Sequence, residues 1–176
     1  MTLTSQTAQV TVRRARTSDV GKIRELVAPL AEERVLVAKE AVAYYEGLQE
    51  FRIAEDAAGN VVGCGALHVM WEDLAEVRTL ATHRDWRGRG VGHILLEQLL
   101  LDAADIGVTR VFCLTFEVDF FKRHGFVVME NQSAVDPEVY SELLRSHDEG
   151  VAEFLDLARV KPNTLGNTRM IRTVRA

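Results

Sequence analysis

The chain has 176 residues, of which 47% are hydrophobic and 27% charged, and its net charge is −5 at pH 7. This composition predicts one globular domain, residues 10–176, with a proper hydrophobic core. The negative charge argues against a nucleic-acid partner, and the absence of an apolar run of roughly 20 residues argues against a membrane partner. Residues 1–9 are polar, lack a signal-peptide pattern and are predicted to form a disordered tail. We therefore expect a cytoplasmic protein.

The chain contains two cysteines, Cys64 and Cys113, each within an apolar, strand-like segment. Neither belongs to a CxxC motif or to a Cys/His pattern with metal-ligand spacing. The sequence therefore predicts two buried free thiols in a reducing compartment and no metal site.

Strands and helices alternate along the first half of the chain. Thr17-Ser18-Asp19 is a helix-start signal, and apolar residues at helical spacing follow it up to Leu30. The turn at 56–60 separates two runs with strand character. The elements predicted for this half are a strand at 10–15, a helix from 17, a helix at 39–49, and strands at 51–55, 61–71 and 75–81.

The second half begins with the clearest helical pattern of the chain, residues 91–106, which Gly107 ends as a C-cap. A buried strand, a short helix and another strand follow it. After residue 130 the pattern becomes variable, with an irregular stretch before the last strand. The predicted elements are the helix 91–106, the strand 110–116, the helix 119–124, the strand 126–130, the helix 137–147 and the strand 170–174.

The segment Arg87-Gly88-Arg89-Gly90-Val91-Gly92 stands between a strand and this long helix. Its glycines leave backbone N–H groups uncovered at a helix N-terminus, where the helix dipole also favours a phosphate or pyrophosphate. The segment is not a P-loop, because no Lys-Ser or Lys-Thr follows, and its spacing differs from the dinucleotide fingerprint. The alternative is a tight turn that is glycine-rich for steric reasons alone.

The pattern Arg87-x-x-Gly90-x-Gly92 resembles the acyl-CoA pyrophosphate loop of the GNAT family of N-acetyltransferases. A second landmark agrees with it, since residues 120–126, Phe-Phe-Lys-Arg-His-Gly-Phe, resemble the family's short helix that ends in a Gly-Phe step. The order of elements is also that of the family over residues 12–130. The resemblance implies the GNAT acyl-CoA N-acyltransferase fold, an α/β architecture with a twisted mixed sheet and helices on both faces.

A narrower resemblance runs nearly from end to end of the chain. It rests on residues 76–81 (Glu-Val-Arg-Thr-Leu-Ala), 111–115 (Val-Phe-Cys-Leu-Thr), 150–157 and the tail segment 161–169. Together these resemble the catalytic domain of N-acetylglutamate synthases, and most closely the short actinobacterial type without an amino-acid-kinase domain. The resemblance implies transfer of an acetyl group from acetyl-CoA to the α-amino group of L-glutamate, the first step of arginine biosynthesis.

The resemblance also implies which residues bind acetyl-CoA. The backbone of Leu80 and Ala81 would pair with the pantetheine arm, and the Leu80 N–H could stabilise the developing oxyanion. The glycine-rich turn and His93 would hold the pyrophosphate. The predicted acetyl-CoA residues are Leu80, Ala81, Thr82, Arg87, Gly88, Arg89, Gly90, Val91, Gly92, His93 and Phe120.

Direct transfer needs a base, because the acceptor ammonium has no lone pair. The resemblance places this base at Glu76, and the alternative is that Glu76 forms an ion pair with Arg78 on the same strand face. Many relatives carry a tyrosine that protonates the leaving thiolate, whereas this chain has Phe120-Phe121. Thr115 matches a hydroxyl position of the synthases and is the second predicted catalytic residue. The alternatives are that Thr115 is an ordinary strand residue and that the thiolate leaves into water.

An acidic amino acid needs cations and amides that hold its carboxylates. The tail offers fewer arginines than the longer synthases do, so L-glutamine is an alternative acceptor. Other possibilities are an acetyltransferase for another small amine or a protein terminus, and a non-catalytic acyl-CoA-binding module. We expect a homodimer or a higher homo-oligomer. The predicted substrate residues are Lys39, Arg78, Thr79, Lys161, Asn163, Asn167 and Arg169.

Overall fold

The computed structural model describes residues 10–37, 39–130, 135–155 and 166–175. Strands and helices alternate through the first two thirds of the chain. The strands are β1 (Thr11–Arg14), β2 (Phe51–Glu55), β3 (Val61–Trp71), β4 (Leu74–Thr82), β5 (Arg110–Thr115), β6 (Val127–Val128) and β7 (Thr168–Thr173). The helices are α1 (Val20–Glu32), α2 (Ala41–Glu46), α3 (Val91–Asp105), α4 (Val118–Arg123), α5 (Pro137–Leu143) and α6 (Glu149–Phe154).

The seven strands form one mixed sheet in the order β1-β2-β3-β4-β5-β7-β6. β4 and β5 are parallel, and every other neighbouring pair is antiparallel. The parallel pair is connected by α3, as a parallel connection requires a crossover. The predicted mixed sheet of the GNAT fold is confirmed.

Helices cover both faces of the sheet. On one face, α3 and α4 bury Leu96, Leu99 and Phe121 against alternate residues of β3, β4 and β5. On the other face, α1 and α2 pack over β2 and β3, while α5 and α6 pack over β5 and β7. This second face therefore has two hydrophobic clusters, one on each side of the middle of β4.

The pairing between β4 and β5 is short. It consists of Leu74 with Arg110, Ala75 with Val111 and Glu76 with Phe112, and beyond Glu76 no further pair joins the two strands among the described residues. Parallel strands that stop pairing halfway leave an opening between them, with backbone groups of β4 along one side. This opening lies in the middle of the sheet and faces the N-terminus of α3.

A second irregularity lies on the other edge of β4. Thr79 has a φ of 56°, a left-handed conformation that is uncommon for a β-branched residue. The register between β3 and β4 shifts there, so that Thr79 and Leu80 together lie opposite Gly65. A bulge of this kind redirects the residues that follow it. It separates the lower half of β4, with Glu76 and Arg78, from the upper half, with Leu80 to Thr82.

Most predicted elements are confirmed, and four differ. The second helix is shorter than predicted, because only Ala41–Glu46 is α-helical before a 3-10 turn at Leu48–Glu50. The predicted helix at 137–147 ends at Leu143, the strand predicted at 126–130 is limited to Val127–Val128, and α6 lies in a stretch predicted to be irregular. Cys64 and Cys113 are buried and unpaired, as predicted. The predicted disordered tail, residues 1–9, lies outside the described residues.

Candidate active site

The glycine-rich turn forms an open anion site at the N-terminus of α3. Gly88 and Gly90 have φ values of 75° and 84°, and Gly90 is the N-cap of the helix. Gly90 has no side chain that could cap this terminus, and the first helical hydrogen bond runs from Ile94 N–H to the Gly90 carbonyl. The N–H groups of Val91, Gly92 and His93 therefore have no partner within the helix. Fifteen aligned peptide units add partial positive charge at this point.

The two arginines of the turn lie at its rim. Arg89 stacks over Trp86, with its guanidinium carbon 5.1 Å from the ring centroid. At this distance the guanidinium is attracted to the ring by a cation–π interaction. Arg87 is the residue that leaves the short helical turn Arg84–Trp86 and enters the glycine-rich segment. Both positions are compatible with the predicted contact to a pyrophosphate.

Phe120 connects α4 to the first turn of α3. A Cβ added at Gly92 would lie 3.5 Å from the Phe120 ring, and the ring centroid of His93 is 4.8 Å away. His93 Nδ1 is 2.6 Å from His124 Nε2, so these two rings share a hydrogen bond. Burial, followed by the neighbouring His93, lowers the pKa of His124. The structure thus brings three predicted acetyl-CoA residues (Gly92, His93 and Phe120) into contact.

The upper part of β4 lines the opening between β4 and β5. Ala81 and Thr82 pair with Cys64 and Gly63 of β3 on one edge. On the other edge they have no strand neighbour in the described part of the chain. Burial, opposed by the Ala81 amide, raises the pKa of the Cys64 thiol to about 12, which keeps this thiol protonated. The position of Leu80, Ala81 and Thr82 fits the predicted backbone pairing with an extended ligand.

Glu76 is a buried carboxylate at the point where β4 and β5 separate. Its residue is 7% exposed, and burial raises its pKa from 4.5 to about 7, against the opposing charge of Arg78. A Cβ added at Gly150 would lie 1.9 Å from Glu76 Oε2, so the first turn of α6 covers the carboxylate directly. A carboxylate with a pKa near neutrality, in an opening of the sheet, has the properties of a general base.

Four further charged or titratable side chains surround Glu76. Arg78 Nη1 is 2.8 Å from Asp148 Oδ2 and 3.5 Å from Glu76 Oε2. His68, which pairs with Glu76 across β3 and β4, has Nδ1 2.7 Å from Glu50 Oε1 and Nε2 3.4 Å from Asp148 Oδ2. Arg78 Nη2 is also 3.5 Å from Glu50 Oε2. The sequence left open whether Glu76 forms an ion pair with Arg78. This contact exists, but it is longer than the contact of the same Nη1 atom with Asp148.

Lys39 belongs to the same electrostatic neighbourhood. The charges that act on it are those of Arg78, Asp148, Glu76 and Glu50. It lies just before α2, whose Tyr44 packs with residues of α1 and of the sheet. Lys39 and Arg78, two of the cations predicted to bind substrate, are therefore close enough for their charges to act on each other.

The other predicted substrate residues lie in different parts of the structure or outside the described residues. Thr79 forms the bulge of β4 next to Arg78. Asn167 lies just before β7, and its side-chain Oδ1 is buried without a hydrogen-bond partner in the described part of the chain. Arg169 Nη1 donates to the Phe154 and Glu153 carbonyls at 3.1 and 3.4 Å and thereby caps the C-terminus of α6. Lys161 and Asn163 lie outside the described residues.

Thr115 ends β5 and is 7% exposed. Its Oγ1 accepts a hydrogen bond of 2.8 Å from the Glu117 N–H, which turns the chain toward α4. Alternation along β5 directs its side chain to the face opposite that of Phe112, the residue paired with Glu76. The structure does not bring the two predicted catalytic residues together.

Four residues of the site were not among the predicted set, namely Glu50, His68, Asp148 and Gly150. A weak signal existed for Asp148, because aspartate is a preferred N-cap residue and its Oδ1 accepts from the Gly150 N–H at 2.8 Å. Among the described residues, no group of three or more His, Cys, Asp or Glu side chains could hold a metal ion. None of the helices in that same part of the chain is long and apolar enough to cross a membrane.

Comparison with known proteins gives consistent results. The family model described as the acetyltransferase (GNAT) domain matches residues 31–128. An amino-acid acetyltransferase of Mycobacterium tuberculosis is 54% identical over 162 residues, which are 91% of this chain and 92% of that protein. An amino-acid acetyltransferase of Shewanella oneidensis is 36% identical over 119 residues, 66% of this chain but only 26% of that longer protein.

Two solved structures agree with the fold. A Mycobacterium tuberculosis protein in complex with CoA and the ligand NLQ superimposes with a TM-score of 0.88 at 52% identity, covering 93% of this chain and 99% of that one. N-acetylglutamate synthase from Neisseria gonorrhoeae, complexed with coenzyme A and N-acetyl-glutamate, has a TM-score of 0.75 at 23% identity and supports the fold alone. That likeness covers 96% of this chain and 36% of the synthase. The fold, the open N-terminus of α3 and these relatives agree: the chain belongs to the GNAT family of acetyltransferases, whose acyl donor is acetyl-CoA.

Proposed function

We propose that this protein transfers the acetyl group of acetyl-CoA to the α-amino group of L-glutamate or L-glutamine, the first step of arginine biosynthesis. The observation that carries the proposal is Glu76, a buried carboxylate whose pKa is raised to about 7 at the point where β4 and β5 separate. A group that is close to half ionised near neutral pH can take a proton and release it again in each cycle.

The donor fits the upper part of the site. The open N–H groups of Val91, Gly92 and His93, with the rim arginines, suit the pyrophosphate of acetyl-CoA. The free edge of β4 suits the amide groups of the pantetheine arm. The 52% identical Mycobacterium tuberculosis structure contains CoA, which supports this assignment.

The acceptor fits the lower part of the site. Arg78 and Lys39 provide positive charge for a carboxylate, and Asn167 Oδ1 provides an unused acceptor near the end of β5. Three carboxylates, Glu50, Glu76 and Asp148, provide sites that attract an ammonium group. An amino acid carries both charges, and the 54% identical relative is an amino-acid acetyltransferase.

The transfer removes two protons from the acceptor nitrogen, because an ammonium with three N–H bonds becomes an amide with one. Glu76 takes the first proton from the ammonium group, and the amine nitrogen forms a bond to the thioester carbonyl carbon. As the tetrahedral intermediate collapses, the nitrogen loses its second proton to solvent and the carbon–sulfur bond breaks. The coenzyme A thiolate that leaves takes a proton from solvent. Glu76 returns its proton to solvent before the next cycle. Alignment of the two bound reactants lowers the activation barrier by about 7–11 kcal/mol, because their translational and rotational entropy is already lost on binding.

The test is a coupled thiol-release assay with acetyl-CoA and a panel of acceptors: glutamate, glutamine, aspartate, lysine, spermidine and no acceptor. We expect release with glutamate or glutamine only. Release only with the cationic amines would keep the enzyme class and overturn the acceptor. Tight acetyl-CoA binding without release for any acceptor would favour a binding module. Sedimentation equilibrium on the same sample tests the expected homodimer or higher homo-oligomer.

A further inference from the structure

The base of the proposed reaction has an arginine two residues away on the same face of its strand. A carboxylate that forms a close ion pair with an arginine is a weak base, because the positive charge stabilises its ionised form. Arg78 could therefore inactivate Glu76 simply by approaching it. The geometry of the site prevents this approach.

Asp148 competes with Glu76 for the guanidinium. Arg78 Nη1 is 2.8 Å from Asp148 Oδ2, whereas its distance to Glu76 Oε2 is 3.5 Å. Burial opposes the ionisation of Asp148, yet the hydrogen bond from Arg78 lowers the pKa of Asp148 below its usual value. Asp148 is therefore an ionised partner at the pH where Glu76 titrates, and it holds Arg78 at hydrogen-bond distance.

Asp148 is fixed by the helix that it begins. Its Oδ1 caps α6 through the Gly150 N–H, which leaves Oδ2 to Arg78. The opposite end of α6 is held by Arg169 of β7, and Phe154 packs edge-on against Phe112 of β5, with ring centroids 5.6 Å apart. The six-residue helix is thus anchored at both ends and on one face.

Gly150 completes the arrangement. It follows Asp148 by two residues and lies against Glu76 Oε2 so closely that no side chain fits between them. The same helical turn therefore excludes water from the base and draws its neighbouring cation away.

We propose that Asp148 and Gly150, in the first turn of α6, are positioning residues for the base: Asp148 holds Arg78 away from Glu76, and Gly150 fixes the carboxylate in the opening. The proposal rests on the proposed function, because a base is needed only if acetyl transfer occurs. It adds a role for α6, the helix that covers the site and for which the sequence predicted no function.

The expected direction of the effect follows from the charges around Glu76. The negative charge of Asp148 raises the pKa of Glu76, while Arg78, His68 and Lys39 lower it. Removing the charge of Asp148 takes away a repulsive partner and also frees Arg78 to approach Glu76, so both changes lower the pKa. The charged and titratable groups around Glu76 are Arg78 on β4, His68 on β3, Glu50 before β2, Lys39 before α2 and Asp148 at α6, while Cys113 of β5 lies on the opposite face of the sheet.

The experiment measures the titration of Glu76 in the protein without substrate. Protein labelled with ¹³C at the glutamate carboxyl carbon is titrated by NMR, and Glu76→Gln identifies the signal. Asp148→Asn keeps an N-cap side chain of the same size without its charge. We expect this variant to lower the pKa of Glu76, which corresponds to an acid dissociation constant at least tenfold larger. Asp136→Asn, which alters the equivalent cap of α5 (2.9 Å to the Glu138 N–H), should leave the titration unchanged.

Activity gives the second readout. The acid limb of the kcat/KM profile should move to lower pH in Asp148→Asn, and the plateau should fall roughly three- to tenfold because a weaker base transfers protons less well. An unchanged or raised pKa of Glu76 in Asp148→Asn would overturn the proposal. Because the NMR titration needs no acceptor, absence of turnover with every amine would instead contradict the proposed function.

Gly150→Ala tests the second residue independently of charge. The variant should lower kcat at least tenfold and leave the KM for acetyl-CoA within about twofold, since the pyrophosphate turn is remote from α6. Gly21→Ala is the matched control, because Gly21 is also the second residue of its helix and a Cβ there meets nothing within 4 Å. Full kcat in Gly150→Ala would contradict the assignment of Gly150.

Discussion

Glu76 Oε2 occupies the space in which a side chain at Gly150 would begin, since a Cβ there would lie 1.9 Å from the oxygen. The two residues are 74 positions apart, as their numbers show, and belong to a central strand and to a short helix near the C-terminus. The environment of the base therefore depends on how the last third of the chain packs onto the sheet, and substitutions there are expected to affect catalysis.

Replacement of the base tests the mechanism directly. We expect Glu76→Gln to lower kcat by roughly 10²–10⁴-fold, the usual contribution of a general base, with little change in acetyl-CoA affinity. Thiol release gives the rate and isothermal titration calorimetry gives the affinity. Glu97→Gln, on the exposed side of α3, is the control and should retain full activity. Undiminished turnover in Glu76→Gln would rule out this carboxylate as the base.

The same variant should be more stable than the wild type at alkaline pH. Glu76 has a pKa near 7 in the folded protein and near 4.5 when unfolded, so the folded state binds the proton more tightly. Its stabilising contribution is complete below about pH 4.5 and is lost as the pH rises through 7. Because Gln does not titrate, the advantage of Glu76→Gln in free energy of unfolding should grow by up to about 3 kcal/mol between pH 4 and pH 8.

Urea unfolding at several pH values measures this advantage. A Glu76→Gln variant whose stability relative to the wild type stays constant from pH 4 to pH 8 would show that the pKa of Glu76 is not raised.

The left-handed glycine at the start of α3 should be required for donor binding. Gly90 has a φ of 84°, and Gly90→Ala should cost roughly 1–2 kcal/mol of backbone strain. We expect it also to weaken acetyl-CoA binding at least tenfold, because the relaxed backbone would turn its N–H groups away from the pyrophosphate. Gly59→Ala is a close control, since Gly59 has a φ of 81° in a hairpin turn where an added Cβ would meet nothing within 4 Å. Equal losses of affinity in both variants would contradict the assignment.

The hydroxyl of Thr115 should stabilise the turn after β5. In Thr115→Val the Glu117 N–H loses its acceptor at 2.8 Å, which should lower the free energy of unfolding by about 1–3 kcal/mol. Thr115→Ser keeps the hydroxyl and should lose less. Urea unfolding measures both. A loss of kcat in the valine variant that the serine variant does not share would support the catalytic role that the family resemblance implies for this residue.

The sequence predicted most of the sheet and the long helix because their patterns are local. The hydrophobic spacing of α3 and the turn at 56–60 are visible in a few residues each. α6 was missed because it has six residues and a glycine at its second position, so neither helical spacing nor propensity identifies it. The insertion of β7 between β5 and β6 is likewise decided by tertiary pairing.

The charged surroundings of Glu76 depend on a register that the sequence does not reveal. A regular hairpin about the two-residue turn between Trp71 and Leu74 would pair His68 with Val77. The irregularity between Val69 and Trp71 shifts the pairing by one residue, and His68 therefore lies opposite Glu76. A one-residue slip reverses the face of every side chain, so a histidine that a regular hairpin would place on the other side becomes part of the site.

The short ladder between β4 and β5 also divides the sheet into two halves, which are joined by three residue pairs. Glu76 and Arg78 belong to the half that contains β4, whereas Phe154 of α6 packs on Phe112 in the half that contains β5. A wider angle between the two halves would increase the distance from the Arg78 guanidinium to the Asp148 carboxylate. The guanidinium would then pair with Glu76 instead. The cleft that admits the acyl donor and the strength of the base are thus set by the same angle.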